Sequence, residues 1–343
     1  MFSPKNHLRV KPHFSIVAHS QDHVELRSGV WNPTSYVFSD ESKKGYLFSI
    51  IKGLDGQKSP AELAGQFNIP RSQVESLIDH LQQAGVLETG SDNIYDLYLN
   101  QVSPLFKYSG AENSDEAVFI TGDPEFFVPL KNMLASTLKN EIICDDKNEL
   151  QKLESSNENW LHDGLLCQEM ISQFEHYRNR FVIFIQKTPN PILTSKWNRI
   201  ARELQINWIH AAIDGPFLFI GPTFHRETPC YDCFETRIMM NLREYASYQR
   251  YKFALVEKQV TKNSFPLDPA VKNLLISHVA LESMNYLLTR CNFTTGKVLS
   301  IYLPTMEIVF NEVLRHSACQ TCGTHVLRDG HQLYFDIHTL LED

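Results

Sequence analysis

Long apolar runs are missing from this chain, and so is any excess of positive charge. No stretch approaches the roughly 18 consecutive apolar residues that a membrane-spanning helix needs. The opening MFSPKNHLRV also has no apolar core of signal-peptide length. Both absences predict a cytoplasmic protein with no membrane partner. Lys and Arg number 32 against 40 Asp and Glu, a formal charge of -8. That balance argues against a general affinity for nucleic acid or an anionic surface. Residues 1–90 hold nine Lys/Arg and nine Asp/Glu, so the whole deficit lies downstream. No Ser/His/Asp or Cys/His constellation with familiar local context is present, which leaves nucleophilic catalysis without support. What remains is ordinary globular composition, 43% hydrophobic and 21% charged over 343 residues, enough for two or three domains with separate cores.

Four of the seven cysteines fall in two doublets, Cys230/Cys233 in TPCYDC and Cys319/Cys322 in SACQTCG. Two C-x-x-C knuckles read as one tetrahedral four-thiolate zinc site, since a two-residue spacer lets both thiolates of a pair grip one ion without strain. Four protein ligands leave no position for water, so the zinc would be structural rather than catalytic. The long gap between the pairs makes it a tie between distant segments. The competing reading, reduced thiols packed as small hydrophobes, requires two doublets to coincide by chance. His225, His316 and His325 flank the knuckles as candidate hydrogen-bond donors to sulfur. Cys144, Cys167 and Cys291 are expected as isolated buried thiols, and Glu227 and Asp232 as solvated surface charges.

Residues 1–90 read as one module. HFSIVAHS and HVELRS alternate apolar with polar around a polar turn, predicting a hairpin, and a third strand follows at Ser35 to Phe38. Leu47, Ile50, Ile51 and Leu54 are spaced i, i+3, i+4, i+7, as are Val74, Leu77, Ile78 and Leu81, each marking one buried helical stripe. Ser59-Pro60-Ala61-Glu62 predicts a helix start with a capping box. Three strands and three short helices predict a winged helix-turn-helix. Such modules usually read DNA, but the last helix sets Arg71 against Glu75 and Asp79 and has no basic face.

The stretch TSYVFSDESKKGYLFSIIKGLDGQKSPAELAGQFNIPRSQVESLIDHLQQAGVLE resembles the RiPP recognition elements, small domains that clasp the leader of a ribosomally made precursor peptide. The resemblance implies that the leader adds as an extra strand beside Ser35, Tyr36, Val37 and Phe38. It would lie against Arg71, Gln73, Val74, Leu77 and Ile78 of the facing helix. Strand addition draws affinity from backbone hydrogen bonds and register from side-chain pockets. The competing reading places some of these side chains in the core.

Residues 91–116 mix turn formers with scattered aromatics and are expected to link this module to a second domain, 117–325, followed by a tail, 326–343. In the second domain short apolar strands alternate with helical patterns, predicting a largely parallel sheet. FVIFIQ is apolar almost throughout, as a strand covered on both faces would be. His210, on a neighbouring strand, is expected as a hydrogen-bonded core residue. MMNLREYASYQRYKF is helical, either a partner surface or a helix with one buried stripe.

The run from FVIFIQ through NWIHAAIDGPFLFIGPTFHRETPCYDC, with the tail TGKVLSIYLPTMEIVFNEVLRHSACQTCG, resembles the Rossmann-like, ThiF-like adenylating domain of the ubiquitin-activating superfamily. Active members carry a glycine-rich turn after the first strand, where bare backbone approaches phosphates. Here that turn is Gly122-Asp123-Pro124-Glu125-Phe126-Phe127. The proline removes a donor, two carboxylates repel phosphate and two phenylalanines fill the space. Asp145 or Asp146 stands where a ribose-binding carboxylate belongs. Paired phosphate-clamping arginines are missing, and Gln186 and Lys187 stand where a magnesium-binding aspartate is expected. The nucleotide site therefore reads as inactive, with ATP not expected as a cofactor and no residue assigned to catalysis.

A peptide clasp joined to an inactive adenylating fold resembles the leader-binding partner of YcaO-type cyclodehydratases, which form thiazoline and oxazoline rings in precursor peptides. The resemblance implies a non-catalytic scaffold that binds the leader and presents the core to a separate YcaO subunit, and it allows a homodimer. Two other readings stay open at this level: an active adenylating enzyme acting on a peptide carboxylate, and a zinc-containing transcriptional regulator.

Overall fold

The computed structural model describes residues 7–31, 33–89, 116–145, 149–261 and 265–323. The chain divides into two units, Met1–Lys107 and Tyr108–Asp343. Most of the expected linker, the tail 326–343, Asp146 and His325 lie outside the described residues.

In the first unit, β2 (Ser15–Ser20), β3 (His23–Ser28) and β4 (Thr34–Ser39) form an antiparallel sheet in that order. The expected hairpin is β2–β3, and the strand expected at Ser35 to Phe38 is β4. Three helices follow, α1 (Leu47–Gly53), α2 (Pro60–Phe67) and α3 (Arg71–Gln83). Leu47, Ile50, Ile51 and Leu54 are all buried, against Val24 and Leu26 of β3 and Val74, Ile78 and Leu81 of α3. A second, two-stranded sheet was not expected. Its strands β1 (Leu8–Val10) and β5 (Leu87–Thr89) are only three residues each and pair antiparallel, with Arg9 Nε 2.8 Å from Glu88 Oε1.

The start of α2 carries the full reciprocal cap. Ser59 N–H donates to Glu62 Oε2 at 2.7 Å, and Glu62 N–H donates to Ser59 Oγ at 3.3 Å. Both bonds satisfy amides that a helix start leaves without partners. Ser59→Ala is expected to destabilise this unit by about 1 kcal/mol. A shift of the urea midpoint at unchanged slope would be the readout.

The second unit is built on a seven-stranded sheet in the order β12-β11-β10-β9-β8-β6-β7. Its strands are β6 (Val118–Gly122), β7 (Ile142–Cys144), β8 (Phe181–Gln186), β9 (Asn207–Asp214), β10 (Phe217–Phe224), β11 (Lys297–Tyr302) and β12 (Glu307–Glu312). The β7/β6, β6/β8 and β8/β9 pairs are parallel, and the β9/β10, β10/β11 and β11/β12 pairs are antiparallel. The sheet is therefore mixed, which corrects the expectation of a largely parallel one. The tight turn at Asp214-Gly215-Pro216 lets β9 and β10 pair directly, and direct pairing through a short turn is antiparallel.

The helices are α4 (Phe127–Ala135), α5 (Glu149–Ser155), α6 (Gly164–Ser172), α7 (Pro191–Glu203), α8 (Tyr231–Asn241), α9 (Tyr245–Val256) and α10 (Pro269–Thr289). Every residue of β8 is buried, as its sequence implies. Trp197 of α7 and Trp208 of β9 meet edge to face, ring centres 6.3 Å apart, in the core of this unit. His210 lies in the same core, with Nε2 3.1 Å from Gln186 Oε1. Burial pushes its pKa down to about 3, so the ring is neutral. The helix expected in MMNLREYASYQRYKF is two helices, α8 and α9, and α9 has no buried residue. It is fastened by polar contacts: Tyr248 OH donates to Glu235 Oε1, and Lys252 Nζ lies on the same oxygen, each at 2.8 Å.

Candidate functional site

The four knuckle cysteines converge. Cys230 is the N-cap of α8, Cys233 lies in its first turn, and Cys319 and Cys322 arrive on the segment after β12. All four sulfurs lie within 4.8 Å of one another, with Cys230–Cys319 at 3.5 Å and Cys233–Cys322 at 3.4 Å. A disulfide would need about 2.05 Å. A tetrahedral ion with bonds of about 2.3 Å to sulfur sets its ligands about 3.8 Å apart. The cluster has the second spacing and could hold a metal ion.

The surrounding sulfurs, Cys233 first, push the pKa of Cys230 up, and the contact with Cys230 pulls that of Cys319 down. The α8 N-terminus adds a partial positive charge that favours thiolate. A divalent cation would release the remaining protons.

Three local devices hold the knuckles. Gly323 closes the second turn, its N–H donating to the Cys319 carbonyl at 2.8 Å, and a Cβ there would stand 2.4 Å from that oxygen. Arg315 donates from Nη2 to the carbonyls of Glu227 and Thr228, at 2.9 and 3.1 Å. The third device corrects an expectation. Asp232 is no surface charge, because its carboxylate accepts from Ser195 Oγ of α7 at 2.8 Å and from Thr321 Oγ1 between the second pair of cysteines. Glu227 is exposed, as expected. His316 supplies its backbone N–H to Cys233 Sγ at 3.3 Å, while His225 Nδ1 accepts from the Glu227 amide. Cys167 is buried and Cys144 half-buried, but Cys291 is exposed, contrary to expectation.

At the carboxyl ends of β6 and β8 lies a crevice of about 130 Å³, lined by Gly122, Asp123, Asp145, Glu154, Gln186 and Asn190. Its polar groups are engaged with their own chain. Asp145 accepts from Thr121 Oγ1 at 2.8 Å and from the Glu149 amide at 3.1 Å, which makes it a cap for α5. Gln186 Oε1 accepts from Thr194 Oγ1 at 3.2 Å, and Asn190 Nδ2 donates to Glu154 Oε1 at 2.8 Å. Asp123 Oδ2 takes the Lys187 amide at 2.5 Å. The Lys187 ammonium is tied to the Phe265 carbonyl, to the Phe265 ring 4.4 Å away, and to Glu125 at 3.2 Å. Gly122 has its own reason to be glycine. Its φ is +116°, and a Cβ would stand 1.9 Å from the Ile185 carbonyl oxygen of β8.

In the first unit β4 pairs only with β3 among the described strands, so its outer edge is open. Ser35 and Val37 are exposed, whereas Tyr36 and Phe38 are half-buried against the core. Beside the end of β4 lies a groove of about 350 Å³ whose walls include Ser39, Lys44, Gln73, Ser76, Leu77 and His80. Gln73 and Leu77 of the expected set line it. Arg71 is exposed and paired with Glu75 at 2.8 Å. Val74 and Ile78 face inward and belong to the core, because a helix packed on a sheet buries one side of its stripe. Sequence reading missed Lys44, which reaches Gln73 Oε1 at 3.4 Å, as well as Ser76 and His80. It also missed Trp31, just before β4, which is 99% exposed. The turn that carries it is braced by Arg27, donating to the carbonyls of Gly29 and Val30 at 3.1 and 2.9 Å.

Among the described residues no helix is long and apolar enough to cross a membrane. No family model matches the chain, and no curated protein matches it. Solved structures do. The heterocyclase TruD aligns with TM-score 0.66 and 16% identity, over 93% of this chain and 43% of its own. A heterocyclase in complex with substrate and cofactor aligns with TM-score 0.66 and 15% identity, over 93% and 39%. E. coli MccB, solved with AMPCPP and selenomethionine MccA, aligns with TM-score 0.53 and 14% identity, over 92% and 100%. The chain thus spans less than half the length of the two heterocyclases. At these identities the likeness is one of fold, and this chain carries a fold that it shares with a heterocyclase and with E. coli MccB.

Proposed function

We propose that this chain is a non-catalytic recognition subunit in the maturation of a ribosomally synthesised peptide. Its first unit acts as a winged-helix RiPP recognition element, and the leader adds as a strand along Ser35, Tyr36, Val37 and Phe38. Arg71, Gln73 and Leu77 of α3 face that leader across the groove, while Val74 and Ile78 support the groove from the core. The second unit acts as an inactive ThiF-like body braced by structural zinc on Cys230, Cys233, Cys319 and Cys322. A separate YcaO cyclodehydratase, acting in the cytoplasm, closes thiazoline or oxazoline rings in the core peptide. Tethering the leader beside that enzyme raises the local core concentration to roughly millimolar.

The observation that carries the reading is an open β4 edge beside a groove walled by polar and apolar side chains of α3. An open edge offers a row of backbone donors and acceptors, and the groove offers pockets for alternate side chains. The test is fluorescence polarisation with labelled leader peptides of candidate ribosomal precursors. Val37→Glu and Gln73→Glu should each weaken binding at least about tenfold with the melting temperature unchanged, since both side chains are exposed. A leader that stays unbound at high micromolar concentration, or binds both variants as well as the parent, would sink the proposal.

The alternative is ATP-dependent adenylation of a peptide carboxylate. It draws on the fold shared with E. coli MccB, which has been solved with ATP. Against it stand the self-satisfied crevice and the tethered Lys187. Leader-dependent pyrophosphate exchange by the isolated chain would favour it over the scaffold reading.

A further inference from the structure

The stripe of α3 that faces the groove carries hydrogen-bond donors and no acid. Gln73, Ser76, Leu77 and His80 stand at i, i+3, i+4 and i+7, so they share one side of the helix, and all four line the groove. At about 100° per residue, Glu75 and Asp79 fall on the far side of α3. Neither lines the groove, and Glu75 is already paired with Arg71 at 2.8 Å. Leu47 and Ile50 of α1, 6% and 4% exposed, give the groove an apolar floor.

Asp40 and Lys44 also line the groove, and their charges are unequally engaged. Asp40 accepts from the Ser42 hydroxyl at 2.5 Å and from the Ser42 amide at 2.8 Å, bonds that hold its carboxyl below the usual range. Lys44 reaches from the loop after β4 across to α3, where its Nζ lies 3.4 Å from Gln73 Oε1, a neutral acceptor at a long distance. Among the described residues no carboxylate pairs with this ammonium, and Asp40 acts on it only from beyond ion-pair distance. An ammonium has three donors, so one weak amide contact leaves it able to take a carboxylate.

We propose that Lys44 receives an Asp or Glu side chain of the bound leader, so that the groove selects an acidic residue two positions from an apolar one. The proposal rests on the reading of the first unit as a leader-binding element. A strand added along β4 alternates its side chains between two faces, and every second one turns toward the helices, as Tyr36 and Phe38 do. Successive side chains on that face are about 7 Å apart. Gln73 and Leu77 are about 6 Å apart along the axis of α3. One leader residue therefore meets Lys44 at Gln73 while the next on the same face meets Leu77 and the apolar floor. Covering the ammonium with peptide removes water and strengthens its attraction for a carboxylate. Residues 1–90 hold nine Lys/Arg and nine Asp/Glu, so the preference is set at this position and not by bulk charge.

The test extends the polarisation assay to charge reversal on both sides. Labelled candidate leaders of ribosomal precursors are titrated with the parent chain, Lys44→Glu and Lys43→Glu; Lys43 is exposed and does not line the groove. Each Asp and Glu of a leader that binds is then replaced singly by Lys. Lys44→Glu should weaken binding at least about tenfold with the melting temperature unchanged, and Lys43→Glu should change it by less than about twofold. One Lys-substituted leader should regain most of that loss on Lys44→Glu while binding the parent chain poorly. Binding indifferent to Lys44→Glu, an equal loss from Lys43→Glu, or a scan with no rescuing position overturns this proposal and leaves the recognition role standing. Leaders that bind none of the three proteins overturn both. A lower melting temperature for Lys44→Glu in that case gives the ammonium to a segment of this same chain.

Discussion

Chelation at neutral pH is expected to release one zinc ion per chain and to lower the melting temperature of the second unit by on the order of 10 °C. The expectation rests on four sulfurs within 4.8 Å of one another on two segments that nothing covalent joins locally. Structural four-ligand zinc sites in small domains contribute apparent binding energies of about 10 to 16 kcal/mol. The second unit has a large core of its own, so only part of that energy should appear as lost stability. A loss of several kcal/mol corresponds to a shift of that size for a domain of this length. Cys233→Ser and Cys322→Ser should reproduce it, since either leaves three thiolates and an open position. Affinity should fall as pH falls, because each ligand must shed a proton to bind. Elemental analysis of the purified chain and thermal melts with and without chelator are the measurements. A metal-free protein whose melting does not respond to chelator would refute the assignment.

Gly122→Ala is the second large effect, expected to destabilise the second unit by at least about 4 kcal/mol. Two independent costs meet there. The backbone sits at φ +116°, which side-chain-bearing residues rarely adopt, and the new methyl would stand 1.9 Å from the Ile185 carbonyl oxygen. That oxygen accepts from the Asp123 amide at 2.9 Å and cannot retreat without breaking the bond. Chemical denaturation of the full chain would measure the loss. A stable Gly122→Ala protein would show that the β6–β8 approach is looser than described. In the sequence, Gly122 opens the turn that active adenylating domains make glycine-rich. The geometry gives it a different duty, close contact between two parallel strands, and that duty persists whether or not a nucleotide ever binds.

Features written in local spacing could be read directly from the sequence. The stripe at Leu47, Ile50, Ile51 and Leu54, the Ser59–Glu62 cap and the all-buried FVIFIQ each depend on neighbours within a turn or a strand. The cysteine doublets were legible because metal chemistry constrains their spacing so tightly. Features that depend on a distant partner were not legible. Asp232 reads as a surface acid until Thr321, 89 residues away, is placed beside it. Val74 and Leu77 share one hydrophobic pattern, and only the packing of α3 decides that the first is core and the second lines the groove. The β1–β5 pair is too short for periodicity to announce, and among the described residues β12 is exposed along its whole length although Ile308, Val309 and Phe310 are apolar.

The two cysteine knuckles bracket α8, α9, α10, β11 and β12. With a metal bound, that span becomes a ring closed by coordination bonds rather than an open thread. A protease that nicks the connection between α9 and α10 would then leave both fragments bridged, and they would migrate together until the ion is withdrawn.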